Sequence, residues 1–125
     1  MKKILIVEDD PDLQLIFKSV LTRAGFEIEI LQDGRSLPLE HLIPDLFIFD
    51  IELPFINGLE LCKKVKADFL TQHIPVLIVS ASIELLARAS EACADDALEK
   101  PFDRLDLVDK VHALLKEASR DSLGK

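Results

Sequence analysis

Short apolar runs alternate with amphipathic stretches along the whole chain, and that alternation constrains the fold more than any other feature. KILIV (3–7) is continuous, apolar and partly β-branched, as expected of a strand buried on both faces. Asp10-Pro11 then opens a helix: Asp suits the N-cap and Pro the first turn. Leu13, Ile16, Phe17, Val20, Leu21 and Ala24 recur at helical spacing, and Gly25 closes the segment. FEIEIL (26–31) alternates strictly and reads as a strand nearer a sheet edge, with Asp33-Gly34 a turn behind it. RSLPLEHLI (35–43) occupies the place of a crossover helix, but it is short and carries Pro38, so a reduced or irregular helix is expected.

DLFIFD (45–50) is the third strand, and Asn57-Gly58 precedes a helix in LELCKKVKADF (59–69). IPVLIVS (74–80) is the fourth strand, followed by a helix over IELLARASEAC (83–93). ALE (97–99) is a short fifth strand. Asp103 caps a last helix whose apolar face is Leu105, Leu107, Val108, Val111, Leu114 and Leu115. Parallel strands require such crossovers, and right-handed ones place helices on both faces of the sheet. The pattern therefore predicts a doubly wound α/β domain.

A chain of 125 residues is enough for one domain, which would bury roughly two-thirds of its unfolded surface. The formal charge of −8 disfavours nonspecific binding to nucleic acid or anionic membrane, since both need a basic patch. No apolar run reaches membrane-spanning length. The run after Lys2 and Lys3 is too short for a signal peptide, so a cytoplasmic protein is expected. Cys62 and Cys93 have no metal-type spacing. Cys62 falls at a helical interval from Leu59 and Val65 and reads as core; His41, His73 and His112 sit in no ligand motif.

FIFDIELP (47–54) runs from apolar strand into a carboxylate, Asp50. Taken alone, that acid could be the first residue to leave the core. The other strand ends argue for more. The first strand ends on Glu8, Asp9 and Asp10, the fourth on Ser80 and the fifth on Lys100. Ligands of such sheets bind outside the carboxyl ends of the strands, where the strand order reverses. In the order 2-1-3-4-5, Glu8 and Asp9 would stand beside Asp50, with Ser80 and Lys100 on the flank. Two carboxylates about 4 Å apart repel by ~4 kcal/mol at an effective dielectric of 20. Lys100 offsets one charge. A hard divalent cation with oxygen ligands would offset the rest, and magnesium suits one or two carboxylates with waters and a phosphate oxygen.

ILIVEDDPDL, FIFDIELPFINGLEL, PVLIVSAS and ADDALEKPF resemble, in order, the signature segments of receiver domains of bacterial two-component response regulators. The resemblance covers residues 2 to about 117 and implies a flavodoxin-like (βα)5 fold with strand order 2-1-3-4-5. The receiver domain would occupy 1–119, and 120–125 would be a frayed tail or the start of a linker. The resemblance further implies that Asp50 accepts a phosphoryl group from a phosphohistidine of a sensor histidine kinase or histidine phosphotransfer protein. Asp9 and Asp50 would bind magnesium directly, Glu8 through water, and Glu52 through its backbone carbonyl. Lys100 would pair with the phosphoryl oxygens, the Ser80 hydroxyl would move to them, and small Ala81 would leave access. Asp10 would be only an N-cap, and Asp95 and Asp96 would face solvent. On this reading the protein is a signalling switch that catalyses its own magnesium-dependent phosphorylation and dephosphorylation rather than a conventional enzyme.

Two positions depart from the family pattern. Ala97 stands where many receivers carry an aromatic ring that couples phosphorylation to the surface. Cys93 stands where Gly is common, which puts a left-handed turn there in question. The missing aromatic keeps open an alternative, a pseudo-receiver interaction module with weak switching. A haloacid-dehalogenase type of phosphotransferase is disfavoured, because Asp50 ends the third strand and Glu52 holds the position that should carry a second Asp. The chain ends soon after its last helix, so either a stand-alone regulator or the N-terminal part of a longer one is expected. Leu15 lies off the core stripe of the first helix and marks that helix as a docking face for a helical phosphodonor.

Overall fold

A computed structural model describes residues 1–37 and 43–123. The irregular crossover expected around Pro38 lies outside the described residues. Five strands, β1 (Lys3–Val7), β2 (Glu27–Leu31), β3 (Leu46–Asp50), β4 (Val76–Ser80) and β5 (Asp96–Glu99), form one sheet in the order 2-1-3-4-5. All four pairings are parallel. The helices are α1 (Pro11–Arg23), α2 (Gly58–Ala67), α3 (Ile83–Leu86) and α4 (Arg104–Leu123).

Successive strand residues point to opposite faces, and each face has its own core. Leu5, Val7, Phe47, Phe49, Val76 and Ile78 pack with Leu61, Cys62 and Val65 of α2. Ile4, Ile6, Leu46, Ile48, Leu77 and Val79 pack on the other face with Phe17 and Leu21 of α1 and Leu107, Val111 and Leu114 of α4. β1, β3 and β4 are apolar without alternation because both of their faces are covered. β2 lies at the edge and is only half-buried, which explains its alternating sequence.

The helix predicted over 83–93 divides. α3 is a single turn capped by Ser82, whose Oγ accepts from the Leu85 N–H at 3.2 Å, and a 3-10 turn follows over Ala89–Ala92. The tighter winding eclipses positions three apart and so buries Ala89 and Ala92 together. Cys93 ends this turn with φ +65°, so the left-handed turn forms despite the side chain. α4 is helical to Leu123, past the expected tail boundary at 119. Ile16 and Leu105, expected in the core, are 45% and 65% exposed; the stripes they belong to are wider than the faces the sheet covers. Among the described residues no helix is long and apolar enough to cross a membrane.

Candidate functional site

Because the strands run parallel, their C-terminal ends share one rim. β1 lies between β2 and β3, so the chain leaves β1 in one direction and later returns on its other side. Glu8 and Asp9 leave β1 at this reversal and Asp50 is the last residue of β3. One carboxylate oxygen from each of the three comes within 4.8 Å of the others. Glu8 and Asp50 are buried, at 1% and 5% exposure.

Each side chain is placed by local backbone. Glu8 continues the β1–β2 pairing, its N–H donating to the Leu31 carbonyl at 3.0 Å. Its carbonyl accepts from Gln14 Nε2 at 2.6 Å and its Oε2 from the Asp10 N–H at 3.2 Å. Asp10 caps α1, accepting from the Asp12 N–H at 2.9 Å, which directs the chain away from the rim after Asp9. Beyond Asp50 the loop folds back tightly: the Gly58 N–H donates to the Ile51 carbonyl at 2.9 Å. A β-carbon on Gly58 would lie 2.2 Å from the Asp50 carbonyl oxygen. Only glycine permits α2 to start so close to the strand tip, with Asn57 as its N-cap.

Lys100 follows β5, its N–H still paired to the Ser80 carbonyl at 2.9 Å, and the Lys100–Pro101 peptide bond is cis. Its Nζ reaches across to Asp50 Oδ2 at 3.1 Å and Glu8 Oε1 at 3.3 Å. The other Asp50 oxygen, Oδ1, is buried and accepts no hydrogen bond among the described residues. Burial, then the charge of Asp50, pushes the Glu8 carboxyl up to about 7 against the opposing pull of the Asp10 N–H and Lys100. Burial alone would lower the Lys100 pKa; the Asp50 and Glu8 carboxylates outweigh it and leave it raised. The pocket is thus short of positive charge, and an oxygen-only donor set with a free buried oxygen fits a hard divalent ion.

Ser80, at the tip of β4, is fully buried. Its hydroxyl donates to Glu52 Oε1 and accepts from the Ser82 N–H at 3.0 Å. The Glu52 side chain and Gln14 are participants that sequence reasoning missed; no spacing signals either contact. Asp95 does not simply face solvent. Its Oδ2 accepts from the Val76 N–H at 2.8 Å and from Lys66 Nζ at 2.9 Å, where it ties α2 to the start of β4 at the opposite rim. Asp96 pairs with Lys110 at 3.0 Å.

A parallel sheet of this order, with an acid cluster and a lysine converging at its reversal point, defines a signal-receiver class of protein. The chain belongs to the response regulator receiver domain family, whose sequence model matches residues 4–112. It is 34% identical over 125 residues to the DNA-binding dual master transcriptional regulator RpaA of Synechocystis, covering 96% of this chain and 52% of that protein. The chain spans about half the length of most of the curated relatives it matches. A CheY-like response regulator receiver domain protein from Methanospirillum hungatei superposes with a TM-score of 0.87 at 32% identity, over 97% of this chain and 98% of that one. The receiver domain of sensor histidine kinase PA1611 from Pseudomonas aeruginosa was solved with a magnesium ion coordinated in its active-site cleft. It superposes with a TM-score of 0.83 at 26% identity, over 92% of this chain and 98% of that one.

Proposed function

We propose that Asp50 is the phosphoacceptor of a two-component receiver, charged by a phosphohistidine of a sensor histidine kinase or histidine phosphotransfer protein. The observation that carries this reading is the state of Asp50. One oxygen is ion-paired to Lys100 and the other is buried without a hydrogen-bond partner among the described residues. A buried carboxylate oxygen left unpaired is costly unless a ligand or reactant meets it.

An Asp50 oxygen forms the new O–P bond as the P–N bond of the phosphoimidazole breaks. The bonding pair returns to the imidazole nitrogen, which takes up a proton. Phosphoryl transfer has a loose transition state, so positioning and charge neutralisation do most of the catalysis. Lys100, already 3.1 Å from Asp50, follows the negative charge onto the phosphoryl oxygens. Ser80 offers a hydroxyl proton from the neighbouring strand. Asp9 and Asp50 directly, Glu8 through water and the Glu52 carbonyl would hold magnesium. When bound, the ion neutralises the carboxylates and the transferring group. α1, with Leu15 68% exposed, is the docking face for the phosphodonor. Output is a change of surface conformation read by a downstream protein or an attached domain.

Intact-mass measurement after incubation with a small acyl phosphate tests the reading. The wild type should gain one phosphoryl group in magnesium and none in chelator, and Asp50→Asn none in either. An equal gain in Asp50→Asn would overturn it.

A further inference from the structure

The Ser80 hydroxyl has a single proton to donate, and Glu52 Oε1 holds it. The hydroxyl oxygen is also engaged, accepting from the Ser82 N–H at 3.0 Å. Ser80 is fully buried, so its proton has no solvent alternative. A charged acceptor grips a donor more strongly than a neutral one. A phosphoryl group on Asp50 would need the same proton, and both acceptors cannot have it.

Glu52 lies two residues beyond Asp50, in the loop folded by the Leu53 N–H to Ile51 carbonyl bond at 2.9 Å. It also walls a cleft of about 250 Å³ between α2 and the 3-10 turn, lined by Lys63, Leu85 and Arg88 together with Glu60 and Glu91, the last ion-paired to Arg88 at 3.5 Å. A Glu52 carboxylate released from Ser80 would therefore have that cleft to move into, with Lys63 on its wall. Ala97, on the neighbouring β5, offers only a methyl group.

We infer that Glu52 is a positioning residue that competes with the phosphoryl group for Ser80, and that its displacement toward the cleft between α2 and the 3-10 turn carries the switch. The inference rests on Asp50 as phosphoacceptor, so its test has two arms. In the unphosphorylated, metal-free protein the Ser82 amide resonance should move in Glu52→Ala, as it should in Ser80→Ala. An unmoved Ser82 amide in Glu52→Ala would show that no such latch exists. With a small acyl phosphate, Glu52→Ala should phosphorylate about fivefold faster than wild type, the rate equivalent of one net hydrogen bond. In a Ser80→Ala background the same substitution should change nothing further. Equal acceleration in both backgrounds would mean that Glu52 merely repels the donor, and would overturn the inference. A wild type that takes up no phosphoryl group would overturn the Asp50 reading and the competition with it, while the amide arm would still report the latch separately.

Discussion

Glu8 shows how one residue links the site to the stability of the chain. Its carboxyl is pushed from 4.5 up to about 7 in the folded protein, chiefly by burial and then by Asp50. Between those values the folded state holds a proton that the unfolded state has released. The stabilisation is therefore fully present below about pH 4.5 and lost as pH rises through about 7. In chelator, denaturation from pH 4 to pH 8 should show wild type losing stability relative to Glu8→Gln as pH rises toward 8, with most of that pH-dependent difference gone at the acid end. Parallel curves would mean that Glu8 is not buried as its own acid. Cys93 makes a second prediction at this scale. A non-glycine residue at φ +65° carries a steric cost of about 1 kcal/mol, so Cys93→Gly should stabilise the domain by about that amount in urea titration. The strand-tip acids were legible because each interrupts an apolar run. The Glu52–Ser80 bond was not, because which rotamer an exposed glutamate adopts leaves no trace in residue spacing.

Among the elements, β1, β3 and β4 were legible nearly residue for residue, since continuous burial leaves an unbroken apolar run. α1 was equally plain from its Asp-Pro start and terminal glycine. The 83–93 segment was not: its leucines and alanines suit a helix, and the division into α3 and a 3-10 turn depends on how Ala89 and Ala92 meet the core. The junction of β3 and α2 supplies the sharpest test at this scale. Gly58 approaches the Asp50 backbone so closely that a methyl group would overlap it. Gly58→Ala improves helix propensity by at most about 1 kcal/mol, yet it must push α2 away from the strand tip. The clash should win, with a net loss of about 2 kcal/mol or more and a large shift of the Asp50 amide resonance. A variant as stable as wild type, with that resonance unmoved, would show the junction to be loose.

For the molecule as a whole, two-sided helical cover followed from the strand–helix alternation, but the strand order did not. The same alternation is compatible with other orders, and 2-1-3-4-5 came from the family resemblance before the pairings bore it out. That order matters because it makes the acid cluster a joint rather than a patch. Glu8 and Asp9 follow directly on β1, Asp50 ends β3, and Lys100, which pairs with two of them, follows β5. An unfolded chain cannot bring these groups together, so an ion gripped there binds only the folded state. Stability should then rise with the logarithm of magnesium concentration, by about 2.7 kcal/mol at a hundredfold excess over the dissociation constant. Thermal denaturation across a magnesium series should show a steadily climbing midpoint for wild type. It should show a much shallower climb for Asp9→Asn, which removes a proposed ligand without touching the Lys100 pairs. The ion should also flatten the pH dependence attributed to Glu8, because it favours the ionised carboxylate that burial opposes. A midpoint indifferent to magnesium, or one that climbs equally in Asp9→Asn, would mean that these strand tips do not hold the ion together.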